Sequence, residues 1–188
     1  MLSPRPGLNK QKLVDAAIEL ANQGGVESVT MHALAKRLEV RPPSLYNHIK
    51  SLEDLRQQLA SVAIIELYNN MEKVAKGKEA FEAISAISKA YIAFAHKHPG
   101  LYEATLIKSD NNVLAVKETG DKMVQLFKEV LAVYHLGEEE TIHLIRGLRS
   151  ILHGFATLEK KSGFGIPVNI NESLEYVLHT YFNGIKQG

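Results

Sequence analysis

The side chains best suited to chemistry cluster near the amino terminus and carry hydroxyl, amide and imidazole groups: Ser44, Tyr46, Asn47 and His48. Leu45 and Ile49 follow the same stretch at helical spacing, so in a helix these two side chains turn inward while the polar ones project outward. Hydroxyl, amide and imidazole groups hydrogen-bond to phosphates and to base edges in a DNA groove. The pattern therefore predicts a surface that contacts DNA.

Two short helices, joined by the turn Glu39-Val40-Arg41, must position these groups. The first is capped by Thr30, and the second opens with Pro42-Pro43 and extends to about residue 49. Such a pair is a helix-turn-helix, whose second helix lies in the major groove. The predicted DNA surface comprises Thr30, Arg41, Pro43, Ser44, Tyr46, Asn47, His48 and Lys50.

Within this surface, we expect Tyr46 and Lys50 mainly on phosphates, and Arg41, Ser44 and Asn47 nearer to base edges. The alternative is a helical hairpin of the kind found in any α-protein. In that case Arg41 and Lys50 are merely solvated, Thr30 only caps a helix and Tyr46 only packs.

The charge distribution agrees with a DNA-reading amino terminus. Residues 1–50 hold seven Lys or Arg against four Asp or Glu, whereas residues 51–188 hold fifteen against seventeen. The first segment is thus +3 and the remainder −2, although the whole chain is only +1. A positive excess confined to one end is typical of a small nucleic-acid-binding module on a neutral body.

Composition excludes several other classes of protein. The 188 residues are 45% hydrophobic and 23% charged, which predicts a packed globular chain rather than a disordered one. Because cysteine is absent, disulfides, thiolate metal sites and thiol nucleophiles are excluded. The longest apolar run covers six residues, Ala90 to Ala95, and the amino terminus lacks the layout of a signal peptide, so we expect a cytoplasmic protein without a membrane segment.

The sequence contains no pattern typical of an enzyme or a metal site. It has no Gly-rich phosphate loop and no nucleophile elbow, and it lacks the two Glu-x-x-His motifs that a metal-carboxylate helix bundle needs. His96 and His98 point to different faces of a helix, and His135, His143 and His153 are eight and ten residues apart. We therefore expect no enzymatic activity, no cofactor and no metal. An all-helical enzyme or an interaction scaffold that does not bind DNA is the alternative.

Hydrophobic periodicity predicts nine helices and no strand, hence an all-α fold. Asn9 caps the first helix, Ser51-x-x-Asp54 opens a long connecting helix that ends near residue 76, and the His98-Pro99 step breaks the chain between the fifth and sixth helices. The seventh helix begins at about Val113 and the ninth is capped by Asn171.

The eighth helix carries a stripe of small residues that permits close helix contact with its own chain or with a second subunit. The predicted dimer interface joins this stripe to side chains of the ninth helix and comprises His143, Gly147, Ser150, Gly154, Val177, Leu178, Tyr181 and Phe182. The alternative is that the side chains of the ninth helix pack in the core of a single chain.

The fifth to eighth helices carry enough aromatic surface for an apolar pocket with a few polar groups. The predicted pocket comprises Tyr91, Phe94, His98, Tyr102, Met123, Phe127, Arg146, Arg149 and His153. The alternative is a solid core, with Arg146, Arg149 and His153 facing a partner subunit.

The amino-acid sequence of the amino-terminal third resembles that of the DNA-binding domain of the tetracycline-repressor (TetR) family. The resemblance rests on the runs Val29-Thr30-Met31-His32-Ala33-Leu34-Ala35 and Val40-Arg41-Pro42-Pro43-Ser44-Leu45-Tyr46-Asn47-His48-Ile49, followed by Leu55. Pro99-Gly100-Leu101-Tyr102 and Leu152-His153-Gly154-Phe155-Ala156-x-Leu158-Glu159 are similar to the carboxy-terminal domain type named for a Trp-His-Gly element, although the chain has no Trp.

This resemblance implies a homodimeric transcription regulator, most often a repressor that a small-molecule effector releases from double-stranded operator DNA. It implies a DNA-binding domain over residues 1–50 and an effector-binding and dimerisation domain over residues 51–188. The chain departs from the family pattern at three positions. Glu39 stands where a Gly is frequent, Ile49 where an aromatic residue is frequent, and Leu52 where a Lys would contact a phosphate.

Overall fold

The computed structural model of the chain describes residues 7–107 and 114–185, which form nine α-helices and no strand. The helices are α1 (Lys10–Gly24), α2 (Met31–Leu38), α3 (Pro42–Leu45), α4 (Leu52–Ala75), α5 (Ala80–Lys97), α6 (Pro99–Ala104), α7 (Leu114–Leu131), α8 (Glu138–Lys160) and α9 (Ile170–Ile185). The predicted all-α fold is confirmed. The predicted start of the seventh helix at Val113 lies outside the described residues.

By packing, the chain divides into two compact units. The first unit contains the described parts of residues 1–65 and 98–117, and the second contains those of residues 66–97 and 118–188. Compactness alone does not assign a function to either unit, so the functional division at residue 50 stays a prediction.

The first unit is built around a small core shared by α1, α2, α3 and the start of α4. Leu13, Leu34, Leu45 and Leu55 are fully buried in it. The helix starts follow from local hydrogen bonds, because the Asn9 side chain accepts from the Lys12 N–H at 2.9 Å and Thr30 Oγ1 accepts from the Ala33 N–H at 3.1 Å. Both predicted caps are present.

Helix α6 belongs to the first unit because its amino-terminal end docks on the carboxy-terminal end of α1. Asn22 Oδ1 accepts from the Gly100 N–H at 2.9 Å, and Glu103 Oε2 accepts from the Val26 N–H at 3.0 Å. Gly100 is buried, and a Cβ atom there would overlap the backbone of Ala21. Only glycine therefore permits this approach of the two helices.

The second unit is arranged around α5, which packs against α8 and α9. Ile84 and Ile87 of α5 are buried, as are Leu148 and Leu152 of α8. Phe81 of α5 stacks on the His179 ring of α9 with centroids 4.0 Å apart. These contacts make α5 the element on which the other helices of this unit depend.

Two predicted helix boundaries are corrected. Helix α3 ends at Leu45 rather than near residue 49, because the His48 N–H bonds to the Leu45 carbonyl at 2.9 Å and the chain continues as turns. Helix α9 begins two residues earlier than predicted and is capped by Asn169, whose Oδ1 accepts from the Asn171 N–H at 2.9 Å. Sequence alone did not distinguish the two nearby Asn residues.

Across residues 7–107 and 114–185, no helix is both long and apolar enough to cross a membrane.

We predict that Gly100→Ala destabilises the protein, because the added methyl group meets the backbone of Ala21 rather than a flexible side chain. The expected loss is about 1–3 kcal/mol, typical of overpacking. The matched control is Gly120→Ala in α7, where a Cβ atom meets no described atom within 4 Å. This control should gain about 1 kcal/mol of helix propensity. Urea unfolding followed by circular dichroism measures both, and equal midpoints for the two variants would contradict the account of α6 docking.

Candidate nucleic-acid interface

A tight turn joins α2 to α3 and sets the direction of the second helix. Glu39 closes α2 with a left-handed backbone at φ 55°, and the Val40 N–H bonds to the Ala35 carbonyl at 3.0 Å. Glycine is the residue that usually adopts this conformation, because a Cβ atom disfavours it. Glu39 therefore does the geometric task of the glycine that the family often has, at a small cost in backbone strain.

The residues after the turn separate into a buried pair and an outward group. Leu45 and Ile49 are buried and fix the segment to the core of the first unit. Tyr46 is 56% exposed, although tyrosine residues are ordinarily more buried than this. The other predicted DNA-contacting residues are either exposed (Thr30, Arg41, Pro43, Asn47 and Lys50) or half-buried (Ser44 and His48).

The positive charges near this segment are not equivalent. Arg37 is paired with the Glu19 carboxylate of α1. Arg41 and Lys50 make no ion pair within the part of the chain that the structure describes. Their charges are consequently available to an external anion, whereas the charge of Arg37 is already compensated.

The start of α4 follows directly after Lys50. Ser51 Oγ caps the helix by accepting from the Asp54 N–H at 3.0 Å. Asp54 Oδ2 accepts from the Lys50 N–H at 3.2 Å, one residue before the N–H that a regular capping box would use. Leu52, at the position of the family's lysine, is half-buried and offers no charge. The ammonium of Lys50 is therefore the nearest positive side chain to this helix end in sequence.

Sequence reasoning missed the residues that attach α6 to the amino-terminal helices of the first unit. Asn22, Gly100 and Glu103 connect α1 to α6, and of these only Gly100 lies within the motif that suggested the subgroup. The Pro99-Gly100 pair marks the position, because a glycine directly after a helix-starting proline suggests a close backbone approach.

The nine residues of the predicted pocket lie in different environments, and their common pocket stays a prediction. Tyr91, Phe94 and Phe127 are buried in the second unit, where Met123 and His153 are half-buried. Arg146 and Arg149 are exposed on α8, so they do not line an internal cavity of the single chain. His98 and Tyr102 belong to the first unit.

The second unit has instead an open cleft of about 1140 Å³ between the end of α4 and α7. Tyr68 lies in its wall and its hydroxyl donates to Glu72 Oε1 at 2.6 Å. That hydrogen bond, together with burial, raises the pKa of Tyr68 to about 12, so the phenol stays a neutral donor at ordinary pH. No residue of this cleft belongs to the pocket predicted from the sequence. The cleft is lined by Tyr68, Glu72, Lys73, Ala75, Lys76, Gly77, Lys78, Glu79, Asp121, Lys122, Gln125, Leu126, Glu129, Val130, Ala132 and Val133.

The predicted dimer residues also divide into two groups. Leu178 and Phe182 are buried, with the Phe182 ring 6.2 Å from that of Phe81, so they are corrected to core residues of the single chain. Gly147 makes room for Tyr181, whose hydroxyl donates to the Leu144 carbonyl at 3.1 Å. The small residue at 147 thus serves a contact within the chain.

The rest of the predicted interface remains accessible. His143 and Ser150 are exposed, and Val177 and Gly154 are half-buried. No described atom lies within 4 Å of a Cβ built on Gly154. No group of three or more His, Asp or Glu side chains among the described residues could hold a metal ion.

Comparison with known proteins identifies both parts of the chain. The model of the bacterial regulatory proteins of the tetR family matches residues 13–59, and that of a tetracyclin repressor-like C-terminal domain matches residues 84–181. The uncharacterized HTH-type transcriptional regulator YobS of Bacillus subtilis (strain 168) is 39% identical over 185 residues, which are 98% of this chain and 96% of that protein. The resemblance inferred from the sequence is confirmed, whereas the Trp-His-Gly subgroup stays a prediction.

Solved structures share the fold at lower identity. A protein of unknown function from Rhodococcus sp. RHA1 has a TM-score of 0.78 at 20% identity, covering 96% of this chain and 97% of that one. A single-residue variant of TetR from Acinetobacter baumannii AYE, in complex with minocycline, has a TM-score of 0.71 at 17% identity, covering 96% of this chain and 98% of that one.

We predict that Tyr46→Ala and Lys50→Ala each weaken binding to a DNA selected from a random duplex library. Lys50→Ala should reduce the slope of log affinity against log salt by about 1, as expected for one lost phosphate contact. The matched control is Lys161→Ala, which removes an exposed lysine after α8 and should leave affinity and slope unchanged. Fluorescence anisotropy over a salt series measures these effects. Wild-type affinity and slope in both variants would show that this segment is not the DNA surface.

Proposed function

Because the chain belongs to the tetR family of bacterial regulatory proteins, and is therefore a DNA-binding transcriptional regulator, we propose that it is a homodimeric repressor that a small-molecule effector releases from its operator. The observation that carries the proposal is the exposed polar segment after α2. Buried Leu45 and Ile49 anchor it, and it carries the charges of Arg41 and Lys50, which have no ion-pair partner among the described residues. Contacts from Tyr46 and Lys50 to phosphates would set the register, and Arg41, Ser44 and Asn47 would read base edges.

A dimer is part of the proposal because one chain has one such segment. Helix-turn-helix regulators read two half-sites that are about 34–36 Å apart, which requires two reading segments related by a twofold axis. The accessible stripe of α8, with His143, Ser150 and Gly154, supports a contact between two copies of this helix. Val177 and Tyr181 of α9, both half-buried, would extend that contact.

The effector is proposed to bind in the second unit. Tyr91 and Phe94 of α5 and Phe127 of α7 supply buried aromatic surface, and Met123 of α7 and His153 of α8 are half-buried groups of the same unit. Ser88 adds support, because it is fully buried on the same face of α5 as Tyr91 and its hydroxyl has no hydrogen-bond partner among the described residues. An effector that offers a polar group to this hydroxyl would satisfy it.

The path from effector to DNA is proposed to run along the chain from α5 into α6. The chain passes from the second unit to the first at His98, and the next residues dock on α1 through Gly100 and Glu103. An effector that changes the end of α5 would therefore act on the reading segment through α1. It can shift DNA binding by no more than its difference in affinity for the two states.

We predict that Gly154→Arg converts the dimer to a monomer, because it places a long charged side chain on the accessible stripe of α8, where the added Cβ atom meets no neighbouring group within 4 Å. Sedimentation velocity at micromolar concentration should give twice the 20.9 kDa mass for the wild type and the single mass for the variant. Gly120→Arg in α7 is the matched control and should remain a dimer. A monomeric wild type would refute the proposed dimer. A Gly154→Arg variant that remains dimeric would show that the dimer interface lies elsewhere.

We predict that a screen of apolar and cationic metabolites finds compounds that raise the melting temperature of the free protein and lower its affinity for DNA. The two effects must be linked, because a ligand that prefers the DNA-free state is bound more weakly, by the same factor, when DNA is present. Titration of each hit with and without DNA measures this factor. Stabilising compounds whose affinity is the same in both titrations would overturn release by an effector, while leaving DNA binding intact.

A further inference from the structure

A second, smaller depression in the second unit has a composition unlike that of the large cleft. It is an open groove of about 510 Å³ between the last turns of α4 and the outer face of α5. Its floor consists of small apolar side chains, namely Val74, Ala86, Ala90 and Ala93, and its rim consists of Lys73, Lys76, Lys78 and Lys89. The volume lies within the range of small-molecule sites, which is about 300–1,000 Å³.

The charges of this rim are only partly compensated. Lys89 Nζ lies 2.6 Å from Glu175 Oε1, and Lys78 Nζ lies 3.6 Å from Glu82 Oε1. For Lys73 and Lys76, the described ranges contain no ion-pair partner. Two ammonium groups are thus left facing solvent beside an apolar floor.

The large cleft on the other side of the same turn provides an internal comparison. Lys73, Lys76 and Lys78 line it too, and with Lys122 they make four lysines. Four carboxylates, those of Glu72, Glu79, Asp121 and Glu129, line the same cleft, so the formal charge of its lining is zero, although none of them forms an ion pair with Lys73 or Lys76. Among the residues described as lining the alanine-floored groove there is no carboxylate. An anion is therefore favoured in the groove and not in the cleft.

The turn that carries the lysines is fixed by the backbone. The Lys76 N–H bonds to the Glu72 carbonyl at 3.2 Å, and the Lys78 N–H bonds to the Ala75 carbonyl at 3.0 Å. Gly77 between them has φ 75°, a value that suits glycine. Lys73 and Lys76 therefore leave the end of α4 from set positions, and only their flexible side chains must be ordered by an anion.

From this arrangement we infer that the groove binds a small amphipathic anion, an alkyl chain that carries one carboxylate. The carboxylate lies between the ammonium groups of Lys73 and Lys76, and the chain lies along the alanine floor of α5. That floor runs from Ala86 to Ala93, about 10 Å at 1.5 Å per residue, which suits a chain of medium length. Charge-assisted hydrogen bonds fix the head, and burial of methylene groups on the alanines provides the remainder of the affinity.

This binding does not depend on operator binding or on effector-induced release, so it is tested on the free, full-length protein by isothermal titration calorimetry with decanoate below its micelle concentration. Decanoate should bind with one site per chain. Acetate, which lacks the chain, and decyltrimethylammonium, which has the opposite charge, should each bind at least about tenfold more weakly, the equivalent of about 1.4 kcal/mol.

Two variants locate the site. The double variant Lys73→Gln and Lys76→Gln should weaken decanoate binding by at least about tenfold, which corresponds to about 1.4 kcal/mol. The matched control, Lys160→Gln and Lys161→Gln at the end of α8, removes the same charge outside the groove and should leave binding unchanged. Ala93→Asp places a carboxylate on the exposed part of the floor and should also weaken binding, while circular dichroism and the melting temperature verify the fold.

Four results would overturn the inference. These are absence of decanoate binding to the wild type at millimolar concentration, equal binding of decyltrimethylammonium, and unchanged binding in the Lys73→Gln, Lys76→Gln variant. The fourth is a protein that sediments with phosphatidylglycerol vesicles but does not bind soluble decanoate, which would assign the lysines to a membrane surface. Loss of DNA affinity in the lysine variant with unchanged decanoate binding would likewise assign them to DNA.

Discussion

The contact between Gly100 and the backbone of Ala21 is the constraint on which the first unit depends. It brings the start of α6 so close to α1 that the Asn22 amide oxygen and the Glu103 carboxylate can accept backbone N–H groups across the contact. Since α1 in turn supports α2 and the buried Leu45, the orientation of the outward side chains derives from this contact. A segment distant in sequence thereby becomes part of the same compact unit as the amino-terminal helices.

Electrostatics then decides which groups are free to act. The guanidinium of Arg37 is neutralised by Glu19 within the first unit, whereas the side-chain charges of Arg41 and Lys50 meet no carboxylate among the described residues. The same distinction separates the two depressions of the second unit, where carboxylates balance the lysines of the large cleft but are missing from the described lining of the groove. Charges without an internal partner are thus the common basis of both proposed anion-binding surfaces, one in each unit.

The sequence correctly predicted the features that depend on hydrogen bonds between neighbouring residues and on helical spacing. The caps at Asn9 and Thr30, the break at His98-Pro99 and the inward direction of Leu45 and Ile49 follow from a few neighbouring residues. Predictions that needed knowledge of tertiary neighbours were poorer. Phe182 and Leu178 were assigned to an interface because periodicity defines an apolar face without saying what covers it, and α5 covers it in the single chain. The basic groove was not predicted because its lysines come from the end of α4, the following turn and α5, so no single helical pattern contains them.

The pairing of Gly147 with Tyr181 has a consequence for the divergence of this family. The phenol occupies the volume that a side chain at position 147 would need, and it bonds to the Leu144 carbonyl one turn earlier on α8. A larger residue at 147 leaves no room for the ring, and a smaller residue at 181 leaves a void beside the glycine. We therefore expect the two positions to change together among relatives. Relatives that lose one partner should change the other, so that sequence covariation at this pair records how α8 and α9 are packed.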